Sequence, residues 1–335
     1  MENAPSVLEY RGVDRRHFRE EIMAASQPAI LRGAAADWPA VRAGASTRGI
    51  VDYLKARDTG EKFDRLAGKP EIGGRLFYNE DMTGLNFERS PATVSSLADE
   101  LLNVAGRDEP PTFAAQSIEA RAVVPAFVDE NQLDLIGRPV SPRLWIGNRV
   151  VVSAHHDMFS NIAVVVAGRR RFTLFPPDQV ANLYVGPFEF TPAGTPVSLV
   201  DFDNPDFNRF PRFAQALELA QVADLEPGDA IYIPYMWWHH VRSLDDFNML
   251  ANYWWNEAEP AQPGLQPVDA LVHAFLAFSG LPEEQRDAWA PMFAHMVFGA
   301  DAADHLPADK SGIRGQLTED AMRRIRQQLG ALMAR

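Results

Sequence analysis

The sequence predicts a mainly β protein, an antiparallel sandwich or barrel with helices on both sides of it. Short β-branched and aromatic runs, punctuated by Gly and Pro, crowd residues 111–258. Helical periodicities bracket that stretch at both ends. No strand–helix alternation argues for a doubly wound sheet, and no Gly-rich phosphate loop follows a strand.

The elements follow in order. Residues 1–110 read as N-terminal α/β elements. Asp14 can cap a helix reaching about Ala25, and Gln27-Pro28-Ala29-Ile30-Leu31-Arg32-Gly33 is a short strand bounded by Pro and Gly. Ser46 opens a second helix with Ile50, Val51 and Leu54 on one side. Thr93 or Ser95 opens a third, with Leu97, Leu101 and Leu102 spaced for burial. Residues 111–258 form the β core, with strands at Leu144–Gly147, Asn161–Ala167, Arg171–Phe175, Ala230–Pro234 and Phe247–Trp255.

Residues 259–335 are helical. Three stripes lie at helical spacing: Val268, Leu271, Phe275 and Phe278; Met292, His295, Met296 and Gly299; and Met322, Ile325, Leu329 and Leu332. Thr318 can cap the last helix, with Glu319 and Asp320 in its first turn. The stripes suit internal packing or a homodimer interface. The latter is favoured because helices after a complete β core have little else to cover.

Composition narrows the function. The chain has 335 residues and a net charge of −13, the wrong sign for a general nucleic-acid binder or for adhesion to an anionic membrane. With no Cys, disulfides, iron–sulfur clusters and thiol catalysis are excluded, and any metal must rest on His, Asp and Glu. The start shows no secretory pattern and no apolar run is long enough to span a bilayer, which predicts a cytoplasmic protein.

His155-His156-Asp157 is the first candidate for chemistry. In a strand, positions 155 and 157 share a face, so both can reach one ion. A His-x-Asp arises by chance about 0.6 times in such a chain, so it needs context. The context is Glu226-Pro-Gly-Asp-Ala-Ile-Tyr-Ile-Pro-Tyr-Met-Trp-Trp-His239-His240, a turn, a strand and a break ending in paired His. A third ligand from a neighbouring strand would complete a two-His, one-carboxylate triad with open positions, as in non-haem iron(II) sites. Spacing leaves open whether His239 or His240 binds. The bland alternative is a set of buried imidazoles satisfied by local hydrogen bonds.

The run Ser153 to Asp157, the stretch Asn161 to Gln179, and Tyr232-Ile233-Pro234 through Trp237-Trp238-His239-His240 resemble the core of the JmjC-type, cupin-like 2-oxoglutarate oxygenases, the asparaginyl hydroxylases most closely. Asp201–Phe213 shares the likeness, and Pro28–Gly33 and Asp37-Trp38-Pro39 carry a fainter one. The resemblance implies a double-stranded β-helix, the jelly-roll or cupin barrel, with flanking N-terminal helices and a C-terminal helical region. It implies an Fe(II) triad of His155, Asp157 and His239, and a 2-oxoglutarate pocket lined by Asn161, Asn252 and Trp254, with Arg170 on the distal carboxylate. It implies a dioxygenase that hydroxylates a peptide side chain or a small molecule, giving succinate and CO2.

Strand parity agrees with the Arg170 assignment, because Arg170, Phe172 and Leu174 share one face and Arg169 and Arg171 the other. Three positions depart from the family pattern: Arg170 stands where the best-known relative has Lys, Val152 where it has Thr, and Phe113 where it has Tyr. Those departures keep two alternatives in view. One is a cupin-fold dioxygenase or isomerase that does not use 2-oxoglutarate, and the other is a non-catalytic metal-containing binding protein. Trp237, Trp238 and Trp255 are candidates for the substrate mouth.

Overall fold

The computed structural model describes residues 5–257, 266–299, 301–307, 310–315 and 318–333. The chain divides into two compact units, Met1–Glu257 and Ala258–Arg335. No helix among the described residues is long and apolar enough to cross a membrane.

Among the described residues the first unit holds thirteen strands: β1 Leu8–Arg11, β2 Ala29–Arg32, β3 Phe63–Gly68, β4 Phe87–Ala92, β5 Thr112–Glu119, β6 Arg143–Gly147, β7 Val151–His155, β8 Ser160–Ala167, β9 Arg170–Phe175, β10 Gln221–Leu225, β11 Ala230–Ile233, β12 Trp238–Ser243 and β13 Asn248–Trp255. They make a nine-stranded sheet, ordered β1-β2-β11-β8-β13-β6-β5-β3-β4, and a four-stranded sheet, ordered β10-β9-β12-β7. From β6 to β9, and again from β10 to β13, successive strands alternate between the two sheets. That is the connectivity of a jelly roll rather than a closed barrel. Strands of the first 110 residues join the same large sheet as the core strands.

Alternation along each strand explains why the core runs are so apolar. On β8, Ala163 and Val165 point between the sheets, where they meet Phe172 and Leu174 of β9, Leu225 of β10 and Val241 of β12. Ile162, Val164 and Val166 point the other way, onto a helical layer that includes Ile50, Leu54, Leu97 and Leu101. Both faces of the central strands are covered, so they carry no polar alternation. Each such fully buried aliphatic contributes about 1.5–3 kcal/mol.

Local chemistry sets the covering helices. Ser46 accepts the Gly49 N–H and Thr93 accepts the Ser96 N–H, starting the helices Thr47–Lys55 and Val94–Val104. Asp14 caps Arg15–His17, but the helix then widens into a π-helical turn, Phe18–Ile22, which buries Phe18 and Ile22. Edge strand β7 is shielded by a bridge to Arg75 and by the Ser198 N–H, which donates to Ala154 O at 2.7 Å.

The second unit contains the helices Pro267–Phe278, Glu283–Met296 and Glu319–Met333. The Thr318 hydroxyl accepts the Ala321 N–H at the start of the last one. Phe278 packs on Trp289 and Phe293. Among the described residues of this unit only Ala302 is buried. The start expected at 259 and the side chain of Leu332 lie outside the described residues.

Candidate metal centre and the pocket behind it

The last residue of β7, His155, stands opposite His239 in the β7–β12 ladder, with ring centroids 4.3 Å apart. Pairing then slips: His239 faces His155, yet Val241 faces Val152. One extra residue in β7 forms a bulge, which turns both Val152 and His155 inward although they are three apart. Val152 accordingly packs on the inter-sheet core.

Asp157 reaches the site differently from the sequence expectation. β7 ends at His155, so Asp157 lies in the following loop and not on a shared strand face. What holds it is the turn Pro234–Trp237. There Met236 adopts a left-handed φ of +64° and donates its N–H to Asp157 O at 3.1 Å.

The ligating atoms of His155, Asp157 and His239 lie within 4.8 Å of one another. His155 Nδ1 donates to Ser153 O at 2.9 Å and His239 Nδ1 to Trp237 O at 3.1 Å, each a carbonyl two residues back. Those bonds fix the tautomer and leave both Nε2 lone pairs free for a metal. Asp157 Oδ2 is buried without a hydrogen-bond partner, 3.7 Å from His239 Nε2. Burial holds His239 well below the usual histidine range and pushes the Asp157 carboxyl up. Two neutral nitrogens and an uncompensated carboxylate oxygen are the complement of a divalent cation, and an N2O set suits iron(II), manganese or zinc. The donor set therefore fits the expected metal.

The neighbouring His residues face elsewhere. His156 packs edge-on against Trp238 at 4.6 Å. His240 stacks on Phe202 at 4.6 Å, and burial pushes it down to about 3.

Arg170, on β9, lies in the same interior. It is buried, and among the described residues its only hydrogen bond is a long one from Nη2 to Trp145 O at 3.4 Å, while its Nε has no partner there. Burial pulls its guanidinium down to about 9, so it remains charged at neutral pH without a carboxylate beside it. Its neighbours turn outward to ion pairs, Arg169 with Asp245 and Arg171 with Asp224. Val152 walls the cavity beside Arg170, together with Ala114, Gln116, Trp145, Val241 and Ser243.

Phe113 is not part of that wall. Its ring lies under the Arg65 guanidinium, 5.2 Å from the ring centre, and Ala114 occupies the cavity-facing position on β5. Asn161 and Asn252 are buried on adjacent strands β8 and β13. In the amide orientation that satisfies both of its atoms, Asn252 donates to Ile162 O and accepts from Asn161 Nδ2 and Trp254 Nε1 at 3.1 and 3.3 Å. Trp254 packs edge-on against Trp145 at 5.2 Å and stacks on Phe159 at 6.0 Å.

Trp237, Trp238 and Trp255 do not form a mouth, because each is buried in a different apolar cluster. Phe159 and Tyr235, both exposed, flank Asp157 and Met236 instead. Their signal in the sequence was only adjacency to the ligand segments. Trp145 and Ser243 gave none, since strand register alone brings them to Arg170.

Comparison with known proteins agrees with this architecture. Over 150 residues the chain is 33% identical to tRNA wybutosine-synthesizing protein 5 of Gallus gallus, covering 41% of this chain and 44% of that one. Over 132 residues it is 32% identical to lysine-specific demethylase JMJ31 of Arabidopsis thaliana, covering 39% and 22%. The mouse wybutosine-synthesizing protein 5 matches more widely, 26% over 312 residues, covering 84% of this chain and 91% of that one. The chain thus spans less than half of the first two relatives in these alignments. Residues 15–260, most of the chain and all three triad residues, match the cupin-like domain family, and the chain belongs to that JmjC-type family.

Proposed function

We propose that the protein is an Fe(II)- and 2-oxoglutarate-dependent oxygenase that hydroxylates a protein or peptide side chain, or a small molecule. The observation that carries this reading is Arg170, a buried guanidinium without a counter-ion in the interior that the triad strand also faces. An isolated buried charge is costly, and a carboxylate arriving there offsets the cost.

His155, Asp157 and His239 would hold iron(II) on one face and leave the opposite positions open. The chemistry the ion supplies there is oxidative: 2-oxoglutarate, dioxygen and a C–H substrate give succinate, CO2 and the hydroxylated product. The chain's own residues bind and orient. Ser153 O and Trp237 O keep the ring N–H groups turned from the metal side. Arg170 pairs with the distal carboxylate, Val152 and Trp145 exclude water, and Asn161, Asn252 and Trp254 line the cosubstrate pocket.

The names of the relatives refer to a tRNA modification and to lysine demethylation. For this chain the net charge of −13 favours a peptide or metabolite over nucleic acid. The helical unit is proposed to join two copies, because Leu276 and Phe298 are 72% and 78% exposed within it.

The test is anaerobic titration of the iron(II)-loaded protein with 2-oxoglutarate, followed by the visible charge-transfer band. A saturable band that disappears in Arg170→Ala supports the reading. No band with iron still bound overturns it. That result would favour a cupin metalloenzyme without 2-oxoglutarate, consistent with the missing hydroxyl at Val152.

A further inference from the structure

Ser243 stands directly across from Arg170 in the β9–β12 ladder. Directly opposed residues of an antiparallel pair project to the same face, with Cβ atoms about 4.5–5.5 Å apart. Ser243 is buried, and its main-chain N–H is committed to Val150 O at 2.9 Å. Its side chain lines the same cavity as Arg170.

The rest of the wall includes Gln116 and Trp145 together with the apolar Ala114, Val150, Val152 and Val241, and the cavity measures about 10 Å³, room for one water-sized group. A guanidinium without an ion-pair partner and a neighbouring hydroxyl therefore converge on a small space with no carboxylate in its wall. A hydroxyl beside that guanidinium is placed to donate to an anion that pairs with it.

We propose that Ser243 is a second anchor for the distal carboxylate of the cosubstrate, its hydroxyl donating to the carboxylate that Arg170 pairs with. This rests on the 2-oxoglutarate reading. Ser243 supplies the neutral donor that Val152 cannot, from β12, the strand that carries His239, rather than from β7. Two anchors on one terminal carboxylate make the site selective for a dicarboxylic 2-oxo acid over a monocarboxylic one.

The experiment measures dissociation constants by anaerobic titration of the iron(II)-loaded wild type, Ser243→Ala and Ser243→Thr, with 2-oxoglutarate and 2-oxobutyrate as probes. Manganese(II) binding checks that each variant keeps its fold. Ser243→Ala is expected to weaken 2-oxoglutarate about tenfold or more, the range for a hydrogen bond to a charged group. It should leave 2-oxobutyrate unchanged, and Ser243→Thr should restore 2-oxoglutarate binding. Equal 2-oxoglutarate affinity in wild type and Ser243→Ala overturns this assignment alone, as does equal weakening of both probes. Absence of 2-oxoglutarate binding by the wild type overturns the cosubstrate reading and this assignment with it.

Discussion

Asp157 Oδ2 lies 3.7 Å from His239 Nε2, buried and without a hydrogen-bond partner. The His239 ring spends its other nitrogen on Trp237 O, so the nitrogen facing Asp157 carries no proton to share. Two acceptors face each other with nothing between them. A divalent cation between them would satisfy both acceptors at once.

The first prediction follows from that pair. Wild-type protein binds one manganese(II) or iron(II) per chain, and His155→Ala, Asp157→Ala and His239→Ala each weaken binding about a hundredfold or more. His156→Ala leaves binding within a few-fold, since that ring packs on Trp238. Titration calorimetry reads all four, and tight binding in any triad variant would remove that residue from the ligand set.

Arg170 should behave as a functional residue does when stability and function oppose each other. Arg170→Met removes an uncompensated buried charge at similar volume, so the ligand-free protein should match the wild type or exceed it by about 1–4 kcal/mol. The same variant should lose the 2-oxoglutarate band. Urea unfolding alongside the titration decides it, and a strongly destabilised variant would make Arg170 a structural residue.

Asp229 is the structural counterpart. Its carboxylate accepts the Gly33 N–H at 2.9 Å, the Glu226 N–H at 3.1 Å and Arg32 Nη1 at 2.6 Å, tying β2 to the turn before β11. Asp229→Ala leaves those donors short of an acceptor and should cost about 2–4 kcal/mol in urea unfolding. Metal stoichiometry should not change. A cost under about 0.5 kcal/mol would show that water replaces the carboxylate there.

The helical unit predicts an oligomeric state. Light scattering should give about twice the chain mass of 37.3 kDa, and Leu276→Glu with Phe298→Glu should halve it. A wild-type protein of single-chain mass would refute the dimer.

Much of the fold was legible in the residues. Runs such as Ile162–Ala167 and Asn248–Trp255 announce strands, because covering both faces of a strand demands a continuous apolar stretch. Strands β3, β4 and β10 were not legible, since charges and small residues interrupt them and only their partners make them strands. Phe113 shows the limit of aligning by spacing. Phe113 and Ala114 are consecutive on β5 and so show opposite faces, and it is Ala114 that lines the cavity.

At the site the division is sharper. Residue chemistry nominated His155, Asp157 and one His of the 239–240 pair, because metals need those donors, and the family resemblance chose His239 and added Arg170. The β core and the absence of thiol chemistry were likewise set by composition and periodicity alone. Tertiary structure decided the rest. The β7 bulge turns Val152 and His155 to one side, the strained Met236 turn holds Asp157 off the strand end, and the β9–β12 register sets Ser243 beside Arg170. The physical reason is that side-chain type is a local property. Which face a residue shows, and which distant residue it meets, is fixed by hydrogen-bond register between strands far apart in the chain.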